Sequence, residues 1–278
     1  MAAVREPARG TRRRWWLPAL VTAWAVALAA LGWWSVRTDP ATVPEQYTIA
    51  DALPVLDKAA GTLVAAAVGD DRAVTLGPLR VRRDCRVTPV RDGMEAVRVV
   101  TVVVPAGRAL PVLAEIAARL PAGFRAEAGD SSGGRRVGMH ADAGGFVAID
   151  AGEDADTQEI RIEVTTGCRP LADGVDVGAA DRPATAPPVL ARALTAVGGS
   201  GQVRVREVDC PNGGTTRTYT VEGVSAPGDL GRSLQPVVDG HTVLRAEPSG
   251  WAYLVDGNSV VIERIGRALR LSATTPCA

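Results

Sequence analysis

The sequence predicts an α+β protein: one N-terminal transmembrane helix followed by two tandem, internally repeated α+β domains, each with a mainly antiparallel sheet and two helices. Three observations predict it. Residues 15–34 carry no charged side chain over twenty positions. Residues 50–168 and 184–277 read as two diverged copies of one unit. Each copy also holds two of the four cysteines, at matching points.

Residues 1–14 form a basic tail, with Arg5, Arg9, Arg12, Arg13 and Arg14 against Glu6 alone. The apolar segment follows at 15–36. A helix of about 20 residues spans about 30 Å, the thickness of a bilayer hydrocarbon core. Trp15 and Trp16 at one end and Trp33 and Trp34 at the other match the headgroup preference of indoles. Downstream only Arg37 precedes Asp39, so the charge bias predicts a cytoplasmic N-terminus and extracytoplasmic domains at the cell membrane. The alternative is a cleaved signal at Ala27-Leu28-Ala29. The apolar run continues through Leu31-Gly32-Trp33-Trp34, which favours a spanning helix. Residues 37–49 are a linker.

The repeat is clearest at the ends of the copies. Residues 160–168 read IRIEVTTGC and 269–277 read LRLSATTPC. Moving backward, FRAE at 124–127 answers LRAE at 244–247, and GGFVAID at 144–150 is set against GWAYLVD at 250–256. RVRRDC at 80–85 answers RVREVDC at 204–210 with one residue's difference. Pro105-Ala106-Gly107 answers Ala226-Pro227-Gly228, and Pro54-Val55-Leu56 answers Pro188-Val189-Leu190, with Asp51 and Thr185 as N-caps. Such matches in one order, with the cysteines in register, are the signature of an internal repeat.

Each copy predicts helix, strand, strand, helix and then about three strands. Leu53, Leu56, Ala60, Leu63 and Ala67 recur at helical spacing over 52–68 and stop at Gly69. VRVVTVVV at 97–104 is a β-branched run closed by Pro105. Leu110, Leu113, Ile116, Ala117 and Leu120 share a helical face over 108–120. Residues 159–164 alternate Ile160, Ile162 and Val164 with charged neighbours, as a half-buried strand does. Residues 130–143 have no counterpart in copy two and read as a polar surface loop. Residues 169–183 are the second linker, and 184–278 repeat the unit, with Leu230, Leu234 and Val237 or Val238 in its second helix and Tyr219 and Val221 in a strand.

Four cysteines allow three pairings. One cysteine follows the first strand of each copy and one ends it, so Cys85–Cys168 and Cys210–Cys277 are expected, which requires an oxidising compartment. Pairing across copies would need equivalent positions to meet at a pseudo-twofold axis. The spacings contain no CxxC motif and no adjacent histidine, so no zinc site is expected.

Composition excludes several function classes. Without the tail, the 31 basic and 31 acidic residues of the chain leave residues 37–278 at net −4, which gives no reason to expect nucleic acid as a partner. Lys58 is the only lysine among the basic residues, which reflects codon usage in a GC-rich bacterial genome. Trp251 is the only tryptophan beyond the apolar segment, against a base- or sugar-stacking surface. GDSSGG at 129–134 is superficially similar to the nucleophile segment of chymotrypsin-like serine proteases, but that fold needs a histidine upstream. His140 and His241 both lie downstream, so a glycine–serine loop tip is expected. The acidic run Asp150, Glu153, Asp154, Asp156, Glu159 fails calcium-loop spacing and reads as a solvated loop.

No catalytic, metal or cofactor residues are therefore predicted. The expected function is that of a non-catalytic, membrane-anchored binding or interaction protein of the bacterial cell envelope, with an envelope protein or a small ligand as partner. Asp84 and Asp209, which precede the first cysteine of each copy, and Trp251 with Tyr253 are the candidate ligand or partner surface. The alternative is a carboxylate-based hydrolase at the junction of the copies. It requires Asp84, Asp209, Glu127 or Glu247 to converge in a cleft.

Overall fold

Trp16–Thr38 winds as one helix, α1, in the computed structural model of the chain, which describes residues 16–38, 47–131, 133–171 and 181–277. The basic tail, Trp15, most of the first linker, Ser132 and residues 172–180 lie outside the described residues. Trp16–Ser35 is long and apolar enough to cross a membrane, with mean hydropathy 1.6 and every side chain exposed. Such a helix near the N-terminus suggests a membrane anchor or a signal sequence.

The residues from Val43 onward cluster as one compact unit, separate from Met1–Thr42. The unit begins with Ile49–Ala67 (α2), Ala73–Leu76 (β1), Arg80–Thr88 (β2), Arg91–Val103 (β3) and Ala109–Arg119 (α3). Then come Glu127–Ser131 (β4), Arg136–Asp142 (β5), Ala148–Asp154 (β6), Glu159–Thr165 (β7) and Arg169–Pro170 (β8). The second half holds Arg182–Pro183 (β9), Pro188–Ala196 (α4), Arg204–Asp209 (β10), Thr215–Ser225 (β11) and Leu230–Val238 (α5). It closes with Thr242–Glu247 (β12), Gly250–Val255 (β13), Asn258–Ile265 (β14) and Ala268–Thr274 (β15).

Two antiparallel sheets result. The first runs β1-β3-β7-β6-β5-β4, with β2 and β8 also paired to β3; the second runs β12-β13-β14-β15-β11-β10-β9. Helices cover one face of each sheet. Leu56, Leu63, Leu113 and Ile116 pack on Val100, Val102, Ile160 and Ile162 in the first core. Leu190, Leu234, Tyr253, Val260 and Leu271 build the second. The arrangement is α+β, and each half is closed by one disulfide, Cys85–Cys168 or Cys210–Cys277. Gly93 makes room for the first bridge, since a Cβ there would lie 2.6 Å from Cys168 Sγ.

The helix-free face of the second sheet is lined by small hydroxyls and is buried. Thr218, Thr220, Ser259, Ser272 and Thr274 alternate with the apolar residues that face the helices. The first half covers this face with β1. As an edge strand, β1 has outward N–H groups that need acceptors. Val74 N–H donates to Ser259 Oγ at 2.9 Å and Leu76 N–H to Thr218 Oγ1 at 3.2 Å. Ala73 and Val103 meet Ala252 and Val261 in a small apolar cluster between the halves. Helix α2 also leans on β10, where Gly61 faces the Asp209 carbonyl.

Several expectations change. The N-cap of α2 is Thr48, whose side chain accepts from Asp51 N–H, while the Asp51 carboxylate reaches back to Thr48 in a capping box. Helix α4 starts at Pro188 behind Pro187, so Thr185 is not its cap. Where about three strands were expected after the second helix of each half, β4–β7 and the short β8 follow α3, and β12–β15 follow α5. Residues 130–143 are no surface excursion, because β5 lies there with Val137, Met139 and Ala141 buried. Asp150, Glu153 and Asp154 belong to strand β6, not to a loop. The ends of the second linker pair as β8 on β3 and β9 on β10.

A charged cluster holds the corner between α2 and β1. Arg72 is buried and pairs with Asp71 and Glu115; Arg119 pairs with Glu115 and donates to Val68 O at 2.7 Å. Gly69 is glycine because a Cβ would lie 2.5 Å from Arg72 Nε. Burial pushes the Asp71 carboxyl up, but the charge and hydrogen bonds of Arg72, with a bond from Arg108, outweigh it and hold it below the ordinary aspartate value. The hydrogen bond from Arg72 likewise holds Glu115 below its ordinary value. Depressed carboxyls contribute stability above their unfolded values and lose it as pH falls through the folded ones. The thermal midpoint is therefore expected to drop below about pH 4. In a melting series against pH, Glu115→Gln should flatten part of that acid limb.

Candidate functional site

The junction of the halves encloses a cavity of about 320 Å³. The first half supplies Val64, Val68, Gly69, Asp70 and Val74; the second supplies the loop before β12, the β13–β14 turn and the end of β15. Each wall has a local cause. Helix α5 stops because Gly240 turns at φ +77° and His241 N–H donates back to Val238 O, which brings His241 to the cavity. Asp256 and Gly257, at φ 49° and 73°, form the two-residue hairpin turn between β13 and β14, an Asp-Gly signature of that turn. Asn258 Nδ2 ties the turn by donating to Val255 O at 3.2 Å and Asp256 O at 3.0 Å. The bridge from Cys277 to Cys210 anchors the adjoining wall of Thr274, Thr275 and Pro276.

The lining combines two carboxylates, Asp70 and Asp256, with the His241 imidazole and the hydroxyls of Thr242, Ser259, Thr274 and Thr275. Val64, Val68, Val74, Leu254, Val255 and Pro276 make the apolar part. No arginine or lysine is among these described lining residues, although the chain has 31 basic residues. Buried Ser259 and Thr274 are already oriented: Ser259 Oγ accepts from Val74 N–H, and Thr274 Oγ1 lies 2.9 Å from Thr218 Oγ1. Among the described residues, no group of three metal-ligating side chains occurs.

The residues singled out in the sequence lie elsewhere. Asp84 is exposed in the irregular part of β2, between the Arg82 and Cys85 pairings with β3. Asp209 lines a separate groove with Leu53, Pro54, Asp57, Lys58, Cys210 and Pro211. Glu127 lies over an open groove with His140 and Asp150, whose Nδ1 and Oδ1 are 2.7 Å apart. Glu247 accepts from Gln158 Nε2 at 3.0 Å and from Ser249. The four carboxylates do not share a cleft. Nor do Trp251 and Tyr253 form an exposed patch. Tyr253 is a core residue whose hydroxyl is pushed up to about 12 by burial, and half-buried Trp251 packs close to Gly231. None of the cavity residues was expected as a site residue from the sequence: His241 read as a loop histidine, Asp256 only closed the GWAYLVD match, and Asp70 and Ser259 carried no local signal.

Comparison with protein-family models, curated proteins and solved structures finds no match for this chain.

Proposed function

We propose that this chain is a non-catalytic binding protein of the bacterial cell envelope, held by its N-terminal helix with the folded part extracytoplasmic, and that a small molecule binds between its halves. The observation that carries this reading is the cavity of about 320 Å³ in which both halves bring carboxylates, an imidazole and hydroxyls onto an apolar lining. Junction clefts with an apolar body and a few convergent polar groups are common ligand sites. The two disulfides agree with an oxidising compartment. With carboxylates, an imidazole and hydroxyls but no guanidinium in its lining, the cavity suits a neutral or amine-bearing ligand with hydrogen-bonding groups on a small apolar frame. Duplication of one module accounts for the architecture. With β1, β8 and β9 set aside, helix, two strands, helix and four strands occur in both halves, and β2-β3-β7-β6-β5-β4 has the same hydrogen-bonded order as β10-β11-β15-β14-β13-β12.

The test is a thermal-shift screen of amino acids, amines and small polyols on the full chain in lipid nanodiscs. A true ligand at about 100 times its Kd stabilises by about 2.7 kcal/mol. Thr242→Trp places an indole at the exposed wall of the cavity and should abolish the shift. Absence of any hit, or hits that persist in the filled variant, would overturn the reading.

A further inference from the structure

A second opening between the halves has the opposite chemistry. It lies between the helix-free faces of the two sheets, holds about 100 Å³, and is lined by Arg80 and Arg161 from the first half and Arg206 and Arg270 from the second. Glu222 and Glu263 are its only carboxylates among the described lining residues, and Thr75, Thr101 and Ser272 add hydroxyls. We propose that this cleft is a binding site for a small oxyanion, either free or as the phosphate head of a larger molecule.

The four guanidinium groups differ in how far the chain already satisfies them. Arg270 is engaged by Glu222 at 2.9 Å and Glu263 at 3.6 Å. Arg206 pairs with Asp181 and donates to Leu76 O at 3.2 Å, so it is fixed in place at the floor. The first-half side differs. Arg161 has only a 3.6 Å approach to Glu159, and that carboxylate also serves Arg245 at 3.2 Å. Arg80 has neither ion pair nor hydrogen bond among the described residues. The Thr75 and Thr101 hydroxyls, on directly opposed residues of β1 and β3, are equally unused. Two guanidinium groups without a close carboxylate partner and two hydroxyls thus face one small space whose own carboxylates, Glu222 and Glu263, are already held by Arg270. Guanidinium groups bind phosphate or sulfate by paired, charge-assisted bonds, which satisfies these donors together. The volume, only a few waters' worth, admits one tetrahedral oxyanion and excludes a nucleoside.

The full chain in zwitterionic nanodiscs is titrated with sodium phosphate, sodium sulfate, and sodium chloride at matched ionic strength, reading the thermal midpoint and heat of binding. Phosphate and sulfate should give saturable stabilisation that chloride does not. Arg80→Gln with Arg161→Gln should weaken it at least tenfold; both side chains are exposed enough that folding is retained, which the anion-free midpoint checks. Arg232→Gln, on exposed α5 surface, should change nothing. A parallel arm in phosphatidylglycerol nanodiscs without added anion separates the sources: stabilisation there assigns the site to a lipid phosphate, and stabilisation confined to added phosphate assigns it to a free anion. A response that follows ionic strength alone, or that survives in the double variant, overturns the proposal.

Discussion

Gly61→Ala is expected to lower stability by about 2 kcal/mol and to loosen the junction of the halves. A Cβ at Gly61 would lie 1.9 Å from the backbone oxygen of Asp209 and 2.9 Å from its carbonyl carbon. No rotamer change relieves a clash with backbone, so α2 or β10 must move. Overpacking of this kind costs up to about 3 kcal/mol, occasionally more. Alanine returns about 1 kcal/mol of helix propensity over glycine, which leaves the net loss stated. Because α2 contributes Val64 and Val68 to the cavity, the same displacement should weaken any ligand bound there. Gly152→Ala is the control. It lies in β6 where a Cβ meets nothing within 4 Å, and removing a strand glycine should be neutral or stabilising by about 0.5 kcal/mol. Urea unfolding of both variants checks the contrast. Equal midpoints would mean that α2 yields freely and the junction is soft.

That contrast also marks how far the sequence was readable. Helix α3 declared itself through the helical spacing of Leu113 and Ile116, and the second part of β3 through its β-branched run from Val97 to Val103. Strand β5 did not. Its buried Val137, Met139 and Ala141 are separated by Arg136, Gly138 and His140, and a strand with one open face and a central glycine looks like polar loop. Strand β1 is four residues long, too short for a period, and its role comes from the sheet it lies across. The alternation of Thr216, Thr218 and Thr220 with Arg217, Tyr219 and Val221 is visible in the chain. Alternation tells which side is polar, not whether that side is later covered, so a buried hydroxyl face resembles a solvated one. The cavity was least legible, since residues from Val64 to Pro276 meet only through packing of the halves.

Removing either disulfide is expected to have the largest effect of any change here, about 4–5 kcal/mol in the chain-entropy model for loops of this length. Cys85–Cys168 closes a separation of 83 residues and Cys210–Cys277 one of 67. Loop entropy grows only with the logarithm of length, so the two losses should agree within about 0.2 kcal/mol. A domain is ordinarily stable by about 5–15 kcal/mol. Loss of both bridges should therefore leave much of the population unfolded at 37 °C. Cys-to-Ala pairs, followed by urea unfolding, measure each term. A cost below about 1 kcal/mol would contradict the entropic account, which predicts several times that. The pairs should nonetheless differ in function. Cys277 directly follows the Thr274–Pro276 wall, and its partner Cys210 lies beside the Asp209 carbonyl that meets Gly61. Cys85 and Cys168 lie outside the cavity lining. At equal thermodynamic cost, losing Cys210–Cys277 should weaken ligand binding between the halves far more than losing Cys85–Cys168. If both pairs weakened binding alike, the cavity would be governed by global stability and not by the wall that this bridge anchors.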